Sequence, residues 1–232
     1  MLSSSFKLVC LAAFFGLSTA APASSDSVSI VVKNQCGYDL GVTKLTSGTS
    51  SAETVRVGAG SSKTYTLSSN WQGRLWGRKD CFENCPMAGA ASPASLAEFN
   101  FKAHAGMDFY DVSFVDGFNL PMSISPINGN KQQSGDTAYS CGSPLCSAVP
   151  SCPSDLQVIE DGEVVGCQSA CSKYGTDEYC CAGAFNTPQT CSTNIYSKAV
   201  KETCPQVYSF AYDDNTSTYV CQASGYTITF CP

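Results

Sequence analysis

The sequence predicts a mainly β, extracellular domain of the sandwich or barrel class, interrupted in its second half by a small disulfide-stapled segment. Three observations carry this reading. Short β-branched runs with period-two alternation are punctuated by glycines 41, 48, 58, 60, 73 and 77, and no amphipathic helical pattern occurs before residue 150. Nine of the 15 cysteines fall within the 64 residues from Cys141 to Cys204, where apolar runs are short; such a segment builds little core of its own and needs cross-links instead. Alternation resumes after Cys204, so the stapled segment is an insertion between strands of one sheet system.

Residues 1–20 read as a secretory signal peptide. Lys7 supplies the positive start, Leu8 to Leu17 an apolar run too short to span a bilayer, and the small residues between Ala20 and Ala23 the cleavage site. The mature domain is then 24–232, and Cys10 leaves with the signal, turning 15 cysteines into an even 14. Val28 to Val32 is a first strand, Gly37-Tyr38-Asp39 a turn, and Gly41 to Leu45 a second strand. Ser61 to Leu67 and Arg74 to Arg78 alternate as further strands, the latter with Arg74, Trp76 and Arg78 on one face.

The stretch from Leu96 to Met122 carries four acids, Glu98, Asp108, Asp111 and Asp116, among aromatic residues. Phe99 and Phe101 share one parity. Asp108, Tyr110, Val112 and Phe114 share a face, and Phe109, Asp111, Ser113 and Val115 share the other, so Asp108 and Asp111 point opposite ways. Asp116-Gly117 is a turn pair, and Asn119 to Ile124 leads into another strand. Within the insertion, Cys167 to Lys173 and Thr190 to Lys201 are expected as short helices. Adjacent Cys180 and Cys181 should reach in two directions, since neighbours rarely bond each other. Val207 to Tyr212, Thr218 to Cys221 and Tyr226 to Phe230 close the chain as strands.

Zinc is the competing reading for Cys81/Cys85 and Cys141/Cys146, but the chain has one histidine, His104, and no finger-spaced doublets, so no metal or cofactor is expected. The formal net charge is −6, and −7 once Lys7 leaves with the signal. An acidic surface disfavours nucleic acid and anionic membranes as partners.

Specific motifs go further. N-Q-C-G-Y at 34–38, R-L-W-G-R-K-D-C at 74–81, S-L-A-E-F at 95–99 and D-F-Y-D-V-S-F-V-D-G-F-N-L-P-M at 108–122 are followed by E-Y-C-C at 178–181, Y-S-F-A-Y-D-D at 208–214 and I-T-F-C-P at 228–232. With these, the chain resembles the thaumatin-like proteins, pathogenesis-related group 5, over nearly all of its mature length. The resemblance implies a flattened two-sheet β-sandwich, here 24–147 and 205–232, with the disulfide-rich α/loop insertion at 148–204. It also implies the pairs Cys36–Cys231, Cys81–Cys85, Cys141–Cys221, Cys146–Cys204, Cys152–Cys167, Cys171–Cys180 and Cys181–Cys191. The long Cys36–Cys231 closure is worth roughly 4–5 kcal/mol in the chain-entropy account. One departure stands out. The family pattern has one more cysteine pair, and the small lobe at about 79–98 is trimmed to Phe82-Glu83-Asn84 between Cys81 and Cys85, which weakens the expectation of ligand contacts from that lobe.

The resemblance further implies an acidic cleft between sandwich and insertion, lined by Arg74, Glu98, Asp111, Asp116 and Asp213, with Asp214 as the stand-in for Asp213. Carboxylates crowded in a partly dry groove cannot all ionise, so one keeps a proton, which is what glycoside hydrolysis needs. Glu98 is the expected proton donor and Asp111 its partner; Arg74, Asp116 and Asp213 bind and tune. Tyr110, Phe118 and Tyr212 are candidate sugar-stacking faces. The bland alternatives are a turn role for Asp116, a simple ion pair for Arg74, and a solvated, glycosylated loop for Asp213-Asp214 beside the sequon at Asn215. The expected activity is binding, with or without endo-hydrolysis, of β-1,3-glucan or another wall polysaccharide by a secreted monomer. A non-catalytic defence or wall-binding module is the second reading, and a ligand for a foreign protein the third.

Overall fold

The computed structural model describes residues 27–135 and 137–232, and the signal-peptide and cleavage expectations lie outside the described residues. Two sheets are stacked face to face. One contains β1 (Ser27–Asn34), β4 (Ser62–Ser68), β8 (Met122–Ile127), β9 (Leu145–Cys146) and β13 (Gly225–Phe230), in the order β4-β1-β13-β8-β9. The other contains β2 (Leu40–Thr46), β3 (Ala52–Val57), β5 (Gln72–Lys79), β6 (Leu96–His104), β7 (Met107–Ser113) and β12 (Tyr219–Cys221), in the order β12-β7-β6-β5-β2-β3. All pairings are antiparallel except β1 with β13, which brings the first and last strands together in parallel, with Cys36–Cys231 just beyond their ends.

Alternation explains which residues enter the core. Ile30, Val32, Ile124, Tyr226, Ile228 and Phe230 from the first sheet meet Leu40, Val42, Leu75, Phe99, Phe101, Tyr110 and Val112 from the second, all buried. Tyr226 is the hub, with ring centroids 4.9 Å from Tyr110, 5.4 Å from Phe99 and 5.6 Å from Phe101. Its hydroxyl donates to Asp108 Oδ2 at 2.8 Å, and the Lys102 amide donates to Oδ1 at 3.0 Å. Asp108 is therefore a buried tie between the sheets, on the face opposite Asp111, as strand parity predicts.

The insertion holds a two-stranded hairpin of β10 (Gln157–Glu160) and β11 (Glu163–Cys167). Its helices are short. After α1 (Lys131–Ser134) in the sandwich come α2 (Ala170–Tyr174), α3 (Asp177–Cys180) and α4 (Ile195–Thr203). Asn194 caps α4 in a reciprocal box with Ser197. The seven disulfides join the pairs named above, and Cys180 and Cys181 do reach different partners.

Several elements differ from the sequence reading. Cys167 ends a strand, and the helix after it starts at Ala170 behind its Ser169 cap. Strand β3 and the β10–β11 hairpin were not expected; Ile159 and Val164 of the hairpin are exposed, and in β3 Val57 alone is fully buried, so neither gives a one-sided pattern. Val207–Tyr212 is not a strand. Beyond one bridge between Tyr208 and Ser113 the backbone turns back, because Asp213 accepts bonds from the Ser209 amide (3.0 Å) and hydroxyl (2.8 Å).

The lobe after β5 packs on the outer face of the six-stranded sheet. Trp76 and Leu96 are buried there under Ala88 and Ala94. Arg78, on the same face as Arg74 and Trp76, donates to the carbonyls of Pro86 (3.0 Å), Ser92 (2.8 Å) and Pro93 (3.3 Å). Lobe, sandwich and insertion meet at Gly117, whose φ is +101°; a Cβ there would fall 2.2 Å from the Cys167 carbonyl oxygen and 2.6 Å from Pro93 Cβ. Gly117→Ala is expected to cost about 1–3 kcal/mol, because neither neighbour is a flexible chain end. A denaturant midpoint equal to that of the unsubstituted protein would contradict it.

Candidate functional site: an acidic groove on the six-stranded sheet

Register builds the site. Arg74 on β5 lies directly opposite Glu98 on β6, and Glu98 directly opposite Asp111 on β7. Side chains opposite one another in antiparallel strands have Cβ atoms about 4.5–5.5 Å apart, so three charged groups form one row on the face turned away from the core. Two depressions, of about 460 and 370 Å³, adjoin this row and share Glu98 and Asp111 as walls. The first is completed by the Thr46–Thr49 turn, Gln72, Arg74, Asn100 and Phe109. The second is completed by Leu96, Ser113, Asp116, Tyr208 and Asp214. The carboxylate pair belongs to the wall of both, which together are the candidate groove. The trimmed lobe contributes no wall residue between 79 and 95; its role is to cover Trp76 beside the groove.

The electrostatics are those of crowded, half-dry acids. Burial pushes the Glu98 carboxyl above its ordinary range; Arg74 opposes this, the Asp116 charge adds to it, and a hydrogen bond with the Ser113 side chain opposes it. Asp111 is pushed well above the usual aspartate range, first by burial and then by the charges of Glu98 and Asp214. Its Oδ1 is buried and has no hydrogen-bond partner, the environment in which the neutral form is favoured. The pair titrates as a unit and retains a proton into the pH range where free carboxylates are ionised. Arg74 Nη1 stands 3.5 Å from Asp116 Oδ2, with its guanidinium 5.9 Å from the Trp76 ring. Asp116 occupies the turn closed by the Gly117 amide bonding the Phe114 carbonyl, so it serves turn and groove together.

Asp213 is not a groove residue. It is buried, pairs with Lys201 Nζ at 3.0 Å and accepts from Thr216 Oγ1 at 2.5 Å as well as from Ser209. The acid at the groove wall is Asp214, the next residue, whose Oδ1 accepts from Tyr208 Oη at 2.7 Å. Both oxygens of Asp213 already accept from local partners. The expected stacking aromatics also move. Tyr110 and Phe118 are buried and Tyr212 Oη donates to the Asn186 carbonyl at 2.6 Å; none of the three lines the groove, where Phe109 and Tyr208 stand instead. Phe109 and Ser113 were readable from strand parity with Asp111. Tyr208 was not, because a false strand hid the turn that aims it. Among the described residues no group of three or more His, Cys, Asp or Glu is arranged to hold a metal ion.

The model described as "Thaumatin family" matches residues 34–232. The chain belongs to the thaumatin family. Among curated relatives of this family member, "Pathogenesis-related thaumatin-like protein 3.5" of Cryptomeria japonica is 46% identical over 191 residues, 75% of this chain and 75% of that one. A protein of Prunus avium named "Glucan endo-1,3-beta-glucosidase" is 40% identical over 231 residues, 89% of this chain and 91% of that one. The fold is shared with a laminaripentaose-producing β-1,3-glucanase solved with laminaritetraose, at TM-score 0.60 and 10% identity, over 89% of this chain and 99% of that one. No described helix is long and apolar enough to cross a membrane.

Proposed function

We propose that this thaumatin-family chain is a secreted protein that binds β-1,3-glucan along the acidic groove and cleaves it through the Glu98–Asp111 pair. The observation that carries the reading is the row Arg74–Glu98–Asp111 at the junction of two depressions. A linear polysaccharide has room on both sides of the pair, and the pair holds the proton that a leaving glycosidic oxygen requires. Glu98, one methylene longer, delivers that proton, and Asp111 is the carboxylate partner. Arg74 holds the charge balance and Asp116 and Asp214 orient the sugar. The names of the Prunus avium relative and of the laminaritetraose complex support the substrate class. One observation favours binding without turnover: Glu98 and Asp111 rise side by side from one sheet face, whereas hydrolysis places its two carboxyls on either side of the scissile bond.

The experiment is reducing-sugar release from laminarin, run beside retention on insoluble β-1,3-glucan. Release that disappears in Glu98→Gln supports cleavage; retention without release reduces the reading to binding; neither sinks it. Asp214→Asn is expected to weaken retention about three- to tenfold while leaving the melting temperature within about 1 °C, since the residue is exposed and groove-facing. Secretion is proposed together with an N-glycan on exposed Asn215, which lies in the turn of α5 (Asp214–Ser217) next to the groove acid. A mass decrease on peptide-N-glycosidase treatment, absent in Asn215→Gln, checks it.

A further inference from the structure

A third cavity lies where the insertion packs on the sandwich, and its chemistry is unlike that of the groove. Phe114, Phe118, Leu156, Tyr179, Tyr196 and Phe210 supply its apolar and aromatic surface. Its free space is about 90 Å³, several times what one water needs, and an apolar cavity of about 150 Å³ is known to take benzene. This cavity is smaller, and its scale suits a short alkyl chain. Of the polar side chains at its wall, Asn194 and Ser197 are engaged in the cap of α4, Ser209 with Asp213 and Gln168 with the Ala90 carbonyl, leaving the Ser151 and Tyr179 hydroxyls. A sugar entering here would set most of its hydroxyls against carbon, so the cavity is a poor extension of the polysaccharide site.

Charge selects among apolar ligands. Asp116 is the one charged residue on the cavity wall. With Val115 and Ala211 it also lines the acidic groove, so it stands at the boundary between the two. That side holds four carboxyl groups, Glu98, Asp111, Asp116 and Asp214, against the single guanidinium of Arg74. An apolar anion is repelled there, and a neutral apolar ligand gains nothing from the carboxylates. A cationic one gains an ion pair with Asp116 and the faces of nearby aromatic rings.

We propose that this cavity is a binding site for a small amphiphilic amine, its short alkyl body between Phe114, Phe118 and α4 and its ammonium at Asp116. The proposal does not rest on the glucan reading, since the cavity shares only the rim of Val115, Asp116 and Ala211 with the groove and neither Glu98 nor Asp111 lines it. The test is NMR titration of the whole mature chain with butylammonium, butanol and butanoate. Butylammonium is expected to shift the methyl signals of Ala170 and Val200 and to bind about fivefold more tightly than butanol, the value of one exposed ion pair, with butanoate weakest. Asp116→Asn should erase the difference between amine and alcohol. Ala199→Trp, at an exposed helix position on the cavity wall, should remove binding of both. Equal binding of amine and alcohol by the unsubstituted chain, shifts confined to groove residues, or undiminished binding in Ala199→Trp would each overturn the proposal.

Discussion

Asp111→Asn is expected to lower glucan hydrolysis by about 10²–10⁴-fold and, at neutral pH, to make the protein more stable. Both follow from the same position. Asp111 sits with Oδ1 buried and unpartnered beside Glu98 and Asp214, so its folded carboxyl titrates well above the range it has in the unfolded chain. A carboxyl raised in the folded state binds its proton more tightly there than when unfolded. Its ionisation therefore costs stability as pH rises from the unfolded value, about 3.9, through the folded one. Asparagine does not ionise, so it removes that cost at neutral pH and changes little below the unfolded value, where both side chains are neutral. The gain in melting temperature should be about 2–4 °C for each kcal/mol relieved, and it should close on acidification. Glu98→Gln is expected to act in the same directions with a smaller stability gain, because Arg74 and Ser113 already favour its charged form. Melting curves from pH 3 to 8 on both variants, with laminarin assays at each pH, decide the matter. A destabilised Asp111→Asn protein at neutral pH, or one that keeps full hydrolysis, would contradict this account of the site.

Lys201→Met should have the largest effect on folding among single changes near the groove. Lys201 Nζ donates to the carbonyls of Pro205 (3.0 Å) and Val207 (2.9 Å), to Ser217 Oγ (2.8 Å), and pairs with Asp213 at 3.0 Å. It ties the last turn of α4 to the chain entering the groove wall. Without it, the Asp213 carboxylate is left buried and uncompensated, which costs about 3–5 kcal/mol and about 10 °C of melting temperature. Asp213→Asn should be destabilised in the same direction with little change in glucan retention once folded, the reverse of the pattern expected for Asp214→Asn. A Lys201→Met protein as stable as the original, or an Asp213→Asn protein that folds well but loses retention, would return Asp213 to the groove.

Local signals carried most of the fold. The alternation of β1, β5, β7 and β13 marked strands because a sheet with one buried face imposes period two. The same rule separated Asp108 from Asp111 correctly, since a parity difference on one strand cannot be repaired by tertiary packing. It failed at 207–212, where alternating Val, Ser and aromatic residues look like a strand. There Asp213 captures the Ser209 amide and hydroxyl and turns the chain instead. It also passed over β3 and the β10–β11 hairpin, which bury too little of either face to leave a one-sided pattern.

The sequence by itself therefore determined the class of the fold and the opposite parity of Asp108 and Asp111, because period and residue type act over a few neighbouring positions. Only the tertiary structure decided which acids meet. Arg74, Glu98 and Asp111 come from strands joined by loops of different length, and only sheet register places them in one row. The choice of Asp214 over Asp213 depends on Lys201, twelve residues upstream of Asp213 in the chain. Adjacent aspartates are nearly equivalent as sequence; the packing of α4 makes one an internal anchor and turns the other toward the groove.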